Sequence, residues 1–202
     1  VADAYHKLPY DGSAIKSSQP QIEGMYPVSN FTAEFERKLY TYNLGHAVLG
    51  YLGYLMGYNF VHEPFSDSFI EPIFNGALEE TSMALSKKYP NEITMKQQRD
   101  IRVDVVTRFS NPMLGDTVIR VARDPLRKLG SSDRIIGSIK LCREYDIFPE
   151  NIIKVCAAAY NFNSDQDVIA VELQSMINSY GIEKVLEDVS GIKPHSPEGR
   201  KI

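Results

Sequence analysis

Three side chains within one apolar stretch have the chemistry of a proton-transfer site. RKLYTYNLGHAVLGYLG, residues 37–53, carries Lys38, Asn43 and His46 among tyrosines and leucines. A lysine works as acid and base near neutral pH when burial or positive neighbours lower its pKa. An amide can donate to an oxygen that becomes negative, and an imidazole can hold a neighbouring hydroxyl. On an unbroken α-helix these three residues fall within an arc of roughly 140°, His46 in the middle, spread over about 12 Å of axis. That suits one wall of an elongated polar cleft, such as one holding a sugar chain. Plainer readings exist for each. Lys38 follows Glu34 by four residues and can pair with it at the surface. A histidine on an apolar face is more often a hydrogen-bonded core residue, and a mid-helix asparagine often simply finds a partner. Their coincidence on one face favours chemistry.

Metal chemistry is not indicated. There is no H-E-x-x-H and no histidine pair at i and i+4; His6, His62 and His195 are scattered. A net charge of −4 argues against nucleic acid or an anionic membrane as the main partner. No apolar run approaches the ~18 residues of a bilayer span. Cys142 and Cys156 form no C-x-x-C and read as buried thiols in a reducing, cytoplasmic setting.

The elements that must position these groups are mostly helical. Residues 1 to about 28 have scattered Pro, Gly and Ser without helical period and read as extended segments and turns. From Asn30 on, the period is that of helices. The first, capped by Asn30 or Thr32, is expected to run unbroken to Gly57. Further helices are expected over 66–89, with Pro72 at a kink or first turn, over 91–109, and after Asp116. A pair at 132–145 and 149–162 precedes a helix opened by Ser164-Asp165-Gln166-Asp167 and ended by Gly181. A short helix near 182–189 and a frayed tail, HSPEGRKI, complete a mainly α chain.

Longer motifs bring a resemblance. Glu36-Arg37-Lys38-Leu39-Tyr40-x-x-Asn43-x-Gly45-His46 resembles the signature of the polyol-specific long-chain dehydrogenases. Asn75-Gly76-Ala77-x-Glu79-Glu80, Arg108-Phe109-x-Asn111-Pro112 and Arg123-x-Pro125-Leu126-Arg127-Lys128-Leu129-x-x-x-Asp133-Arg134 strengthen it. The likeness runs from about Ile22 to about Gly191 and is nearest to the mannitol-1-phosphate 5-dehydrogenases. It implies metal-free hydride transfer between NAD(H) and a sugar alcohol or ketose. In that role Lys38 is the general acid/base, Asn43 steadies the reacting oxygen, His46 orients a substrate hydroxyl, and Arg108 approaches the substrate. The resemblance further implies that residues 1–29 end a Rossmann-type nucleotide-binding domain, and that residues 30–202 form the helical substrate domain of a two-domain enzyme. No G-x-G-x-x-G is present, so NAD would be bound by that upstream partner domain. Separated from it, the helical half is expected to expose apolar surface and to self-associate.

Residues 120–134, RVARDPLRKLGSSDR, raise the substrate question. The plain reading is a solvated face with Asp124 and Asp133 as partners. The chemical reading is a clamp of Arg127, Lys128 and Arg134 on the phosphate of a sugar phosphate. Asp3-Ala4-Tyr5 stands where relatives more often have Glu-Pro-Phe, which keeps a mannitol 2-dehydrogenase and a fructuronate or tagaturonate reductase open. A non-catalytic helical interaction or dimerisation domain is the alternative of another class.

Overall fold

The computed structural model describes residues 8–16, 18 and 21–202. The prefix forms two short strands, β1 (Leu8–Asp11) and β2 (Met25–Val28), paired in parallel with Leu8 opposite Met25. Asp3-Ala4-Tyr5 and His6 lie outside the described residues. After Asn30 the elements are helical, with one isolated antiparallel bridge between Phe60 and Thr117 among the described residues.

Asn30 is the cap of α1 (Phe31–Lys38): its side chain accepts from the Ala33 N–H at 3.2 Å. The expected unbroken helix does not follow. α1 gives way to a π-turn over Leu39–Asn43, and α2 (Leu44–Leu55) continues from there. α2 is the centre of the fold. Leu44, Ala47, Val48, Leu49, Tyr51 and Leu52 are all buried, as befits a helix apolar on every side. It packs on α3 (Ile70–Lys88), on α5 (Val118–Ala122) and on α8 (Glu150–Tyr160). Gly50 permits the close approach of α5: a Cβ there would sit 3.1 Å from the Ala122 nitrogen.

Pro72 stands in the first turn of α3, where its missing N–H costs nothing. α4 (Met95–Phe109) starts later than the pattern suggests, at a capping box in which Thr94 and Gln97 exchange hydrogen bonds of 3.2 and 2.8 Å. α6 (Pro125–Lys128) and α7 (Ile136–Glu144) carry the basic stretch and the first half of the expected pair. α9 (Val168–Tyr180) is capped by Asp167 rather than by Ser164, and it does end at Gly181. α10 (Ile182–Val185) runs on as a second π-turn to Ser190.

The tail is docked, not frayed. Lys201 reaches Glu150 at 2.5 Å and Arg143 reaches Glu198 at 2.8 Å, which ties the last residues to α7 and α8. The start of α8 explains part of another motif. Pro149 offers it no side-chain cap. Glu80 of α3 accepts instead from the Asn151 N–H, the Asn151 Nδ2 and the Ile152 N–H at 2.9, 2.7 and 3.2 Å. Gly76 leaves room for that asparagine, because a Cβ there would lie 2.2 Å from its Nδ2.

Candidate active site

The π-turn decides how the three polar residues stand. Leu44 donates to the carbonyl of Leu39, five residues back. In a regular α-helix, residues five apart are rotated by roughly 140°. Where the bonding runs over five residues, they come to lie nearly one above the other. Across this turn Lys38 and Asn43 are separated by a smaller rotation than on a regular helix, and Asn43 and His46 remain neighbours at i and i+3.

The surface-pair reading of Lys38 does not hold. Glu34 binds Arg37 instead, and Glu36 binds Lys88 at 2.8 Å. Lys38 is exposed and, among the described residues, has no acid partner. Asn43 is half-buried, its amide without a protein partner in the same set. His46 lies flat against Phe109, ring centres 3.9 Å apart and planes 21° from parallel. Burial drives its pKa down to about 4. Asp116 opposes that shift, while the charges of Arg120, Arg134 and Arg108 add to it. The imidazole is therefore neutral at pH 7, with one donor and one acceptor nitrogen.

Arg108 stands at the edge of this face. Its guanidinium lies 5.3 Å from the centre of the Tyr42 ring and 3.9 Å from Asp104, which also accepts from the Tyr42 hydroxyl at 2.6 Å. The basic stretch divides by partner. Arg127 binds Asp124 at 2.7 Å and Asp133 at 3.2 Å; Arg134 binds Asp133 at 2.8 Å. Burial would raise the Asp133 carboxyl, but hydrogen bonds and charge from Arg134, with the charge of Arg127, hold it below the usual range. Lys128 points inward, only 4% exposed, donating to the carbonyl of Arg123, with its nitrogen 6.0 Å from the centre of the Tyr51 ring. Burial, then the charges of Arg134 and Arg127, bring its pKa down to about 7. The buried hydroxyl of Tyr51 has no hydrogen-bond partner among the described residues.

Beside α5 runs an open groove of about 470 Å³, lined by Tyr58, Phe60, Arg120, Arg123 and Gln166 among others. Arg120 is paired with Asp116. Neither that pair nor Phe109 stands out in sequence as a neighbour of His46. The only hint is the i, i+4 spacing of Asp116 and Arg120. No group of three His, Cys, Asp or Glu among the described residues is placed to hold a metal ion. Cys142 and Cys156 are free and buried, and burial raises both thiols, Cys142 to about 12.

Residues 30–193 match the mannitol dehydrogenase C-terminal domain family. The chain belongs to that family. Its relatives include a mannitol-1-phosphate 5-dehydrogenase of Caldanaerobacter subterraneus subsp. tengcongensis, 40% identical over 176 residues, which are 87% of this chain and 45% of the relative. The Bacillus subtilis mannitol-1-phosphate 5-dehydrogenase is 41% identical over 187 residues, 93% of this chain and 48% of that one. The chain thus spans about half the length of the curated relatives it matches. Among solved structures, the Pseudomonas fluorescens mannitol 2-dehydrogenase ternary complex with NAD and D-mannitol shares the fold, with a TM-score of 0.59 at 23% identity over 82% of this chain and 34% of that one. The mainly α architecture expected from sequence is therefore that of a mannitol dehydrogenase C-terminal domain. None of its described helices is long and apolar enough to cross a membrane.

Proposed function

We propose that this mannitol dehydrogenase C-terminal domain is the substrate-side half of an NAD-dependent mannitol-1-phosphate 5-dehydrogenase, interconverting mannitol 1-phosphate and fructose 6-phosphate in the cytoplasm. Residues 1–29 belong, on this reading, to the end of an upstream nucleotide-binding domain. Two observations support that boundary. A parallel pair as short as β1 and β2 is ordinarily part of a larger, covered sheet. Leu8 of β1 and Phe31 and Phe35 of α1 lie exposed, and β1 and α1 are in contact.

No strand, glycine-rich turn and helix follow one another among the described residues, so the dinucleotide falls to that upstream half. There it would accept the hydride. What remains for this chain is the proton and the alcohol. Lys38 takes the proton from the reacting hydroxyl in oxidation and returns it in reduction. Asn43 donates to the same oxygen, and the neutral His46 holds an adjacent hydroxyl. Arg108, Arg127, Lys128 and Arg134 provide the cationic surroundings that draw in an anionic sugar phosphate. The observation that supports this reading is the π-turn, which reduces the rotation between Lys38 and Asn43 relative to an unbroken helix, while Glu34 is engaged elsewhere.

The test is Lys38→Ala in the intact protein. Removing the acid/base should lower kcat by about 10²–10⁴ with unfolding behaviour unchanged. Turnover within a few-fold of the wild type would refute the assignment.

A further inference from the structure

Arg123 stands apart from the other cations of its stretch. Arg120 is held by Asp116, Arg127 by Asp124 and Asp133, and Arg134 by Asp133. Lys128 is turned inward. The exposed guanidinium of Arg123 has no carboxylate partner among the described residues, yet its backbone is fixed. The Arg123 carbonyl accepts from Lys128, and the next peptide N–H, that of Asp124, donates to Asp167 at 2.7 Å. Asp124 itself is held at φ 63°. The side chain therefore leaves an anchored main chain at the wall of the groove beside α5.

The groove suits the end of a sugar phosphate. Its volume of about 470 Å³ is that of a small-molecule site. Gln166 and Asn59 offer neutral donors around Arg123, while Tyr58 and Phe60 supply an apolar wall. Arg120 lines the same groove and is also among the charges that act on His46. A guanidinium free of carboxylates has its full donor fork available for phosphate oxygens, and one already bridging two carboxylates does not.

We propose that this groove seats the phosphate monoester of the substrate, with Arg123 as the residue that selects phosphorylated over free sugar. The inference rests on the polyol-phosphate reaction proposed above. It moves the phosphate contact from Arg127, whose charge is already matched, to Arg123.

The test uses the intact enzyme, comparing kcat/KM for fructose 6-phosphate and for fructose in the wild type, Arg123→Gln and Arg123→Lys, with inorganic phosphate as a competing ion. Arg123→Gln should lower the preference for the phosphorylated sugar about ten- to a hundredfold, mostly through KM. Arg123→Lys should recover part of it. Phosphate should compete with fructose 6-phosphate in the wild type and several-fold more weakly in Arg123→Gln. An unchanged preference in Arg123→Gln, in an enzyme whose wild type reduces fructose 6-phosphate, overturns the phosphate seat and leaves the reaction standing. A wild type that reduces no sugar phosphate overturns the reaction, and the seat with it.

Discussion

His46 of α2 is stacked on Phe109, the last residue of α4, with ring centres 3.9 Å apart. This contact packs the imidazole of the candidate site against the end of α4.

A histidine held near pKa 4 makes stability depend on acid. The unfolded chain binds a proton near pH 6.5 and the folded one only near pH 4, so protonation favours unfolding between those values. Stability from this residue is complete above pH 6.5 and falls as the pH drops, by about 3 kcal/mol in all. Calorimetric unfolding of the wild type and His46→Gln from pH 7 to pH 4 checks this. The variant should show a clearly shallower acid decline, and parallel curves would remove His46 as the cause.

Lys128 predicts a slope of the same sign at higher pH. Its folded pKa of about 7 lies below the usual lysine value, so between pH 7 and roughly 10 the unfolded chain binds the extra proton. Stability should rise with pH across that window. Lys128→Met should abolish the rise and be at least as stable as the wild type at pH 7. A steep loss of stability in Lys128→Met at every pH would mean that the contact with the Arg123 carbonyl outweighs the buried charge.

Glu80 and Asn151 should behave as one unit. Glu80→Ala leaves buried donors at the head of α8 without an acceptor and should cost about 1–3 kcal/mol. Gly76→Ala should cost a similar amount by displacing the Asn151 amide. The double variant should cost much less than the sum of the two, read from thermal unfolding as a double-mutant cycle. Full additivity would show that the two residues act separately.

Most helices were legible because their signals are local. Asn30 caps α1 and Gly181 stops α9, while the caps Thr94 and Asp167 each lie three residues beyond where the pattern opens their helices. What stayed hidden depends on partners far along the chain or on a choice between near-equal neighbours. Glu34 takes Arg37 at i+3 instead of Lys38 at i+4, and both spacings are allowed on a helix. The docking of the tail needs Glu150 and Arg143, tens of residues upstream. The π-turn between Lys38 and Leu44 could not be read from spacing, and neither could the sharing of Asp124 and Asp133 among the arginines. That division of acids is what singles out Arg123.

The π-turn also makes segment length a constraint. Adding one residue to the five of Leu39–Asn43 would carry the segment past what five-residue bonding absorbs. It would also swing α1 by about 100° around the axis of α2. Lys38 would then face away from the amide and imidazole, with every residue type still in place. Between Lys38 and Leu44, spacing is less free to drift than composition.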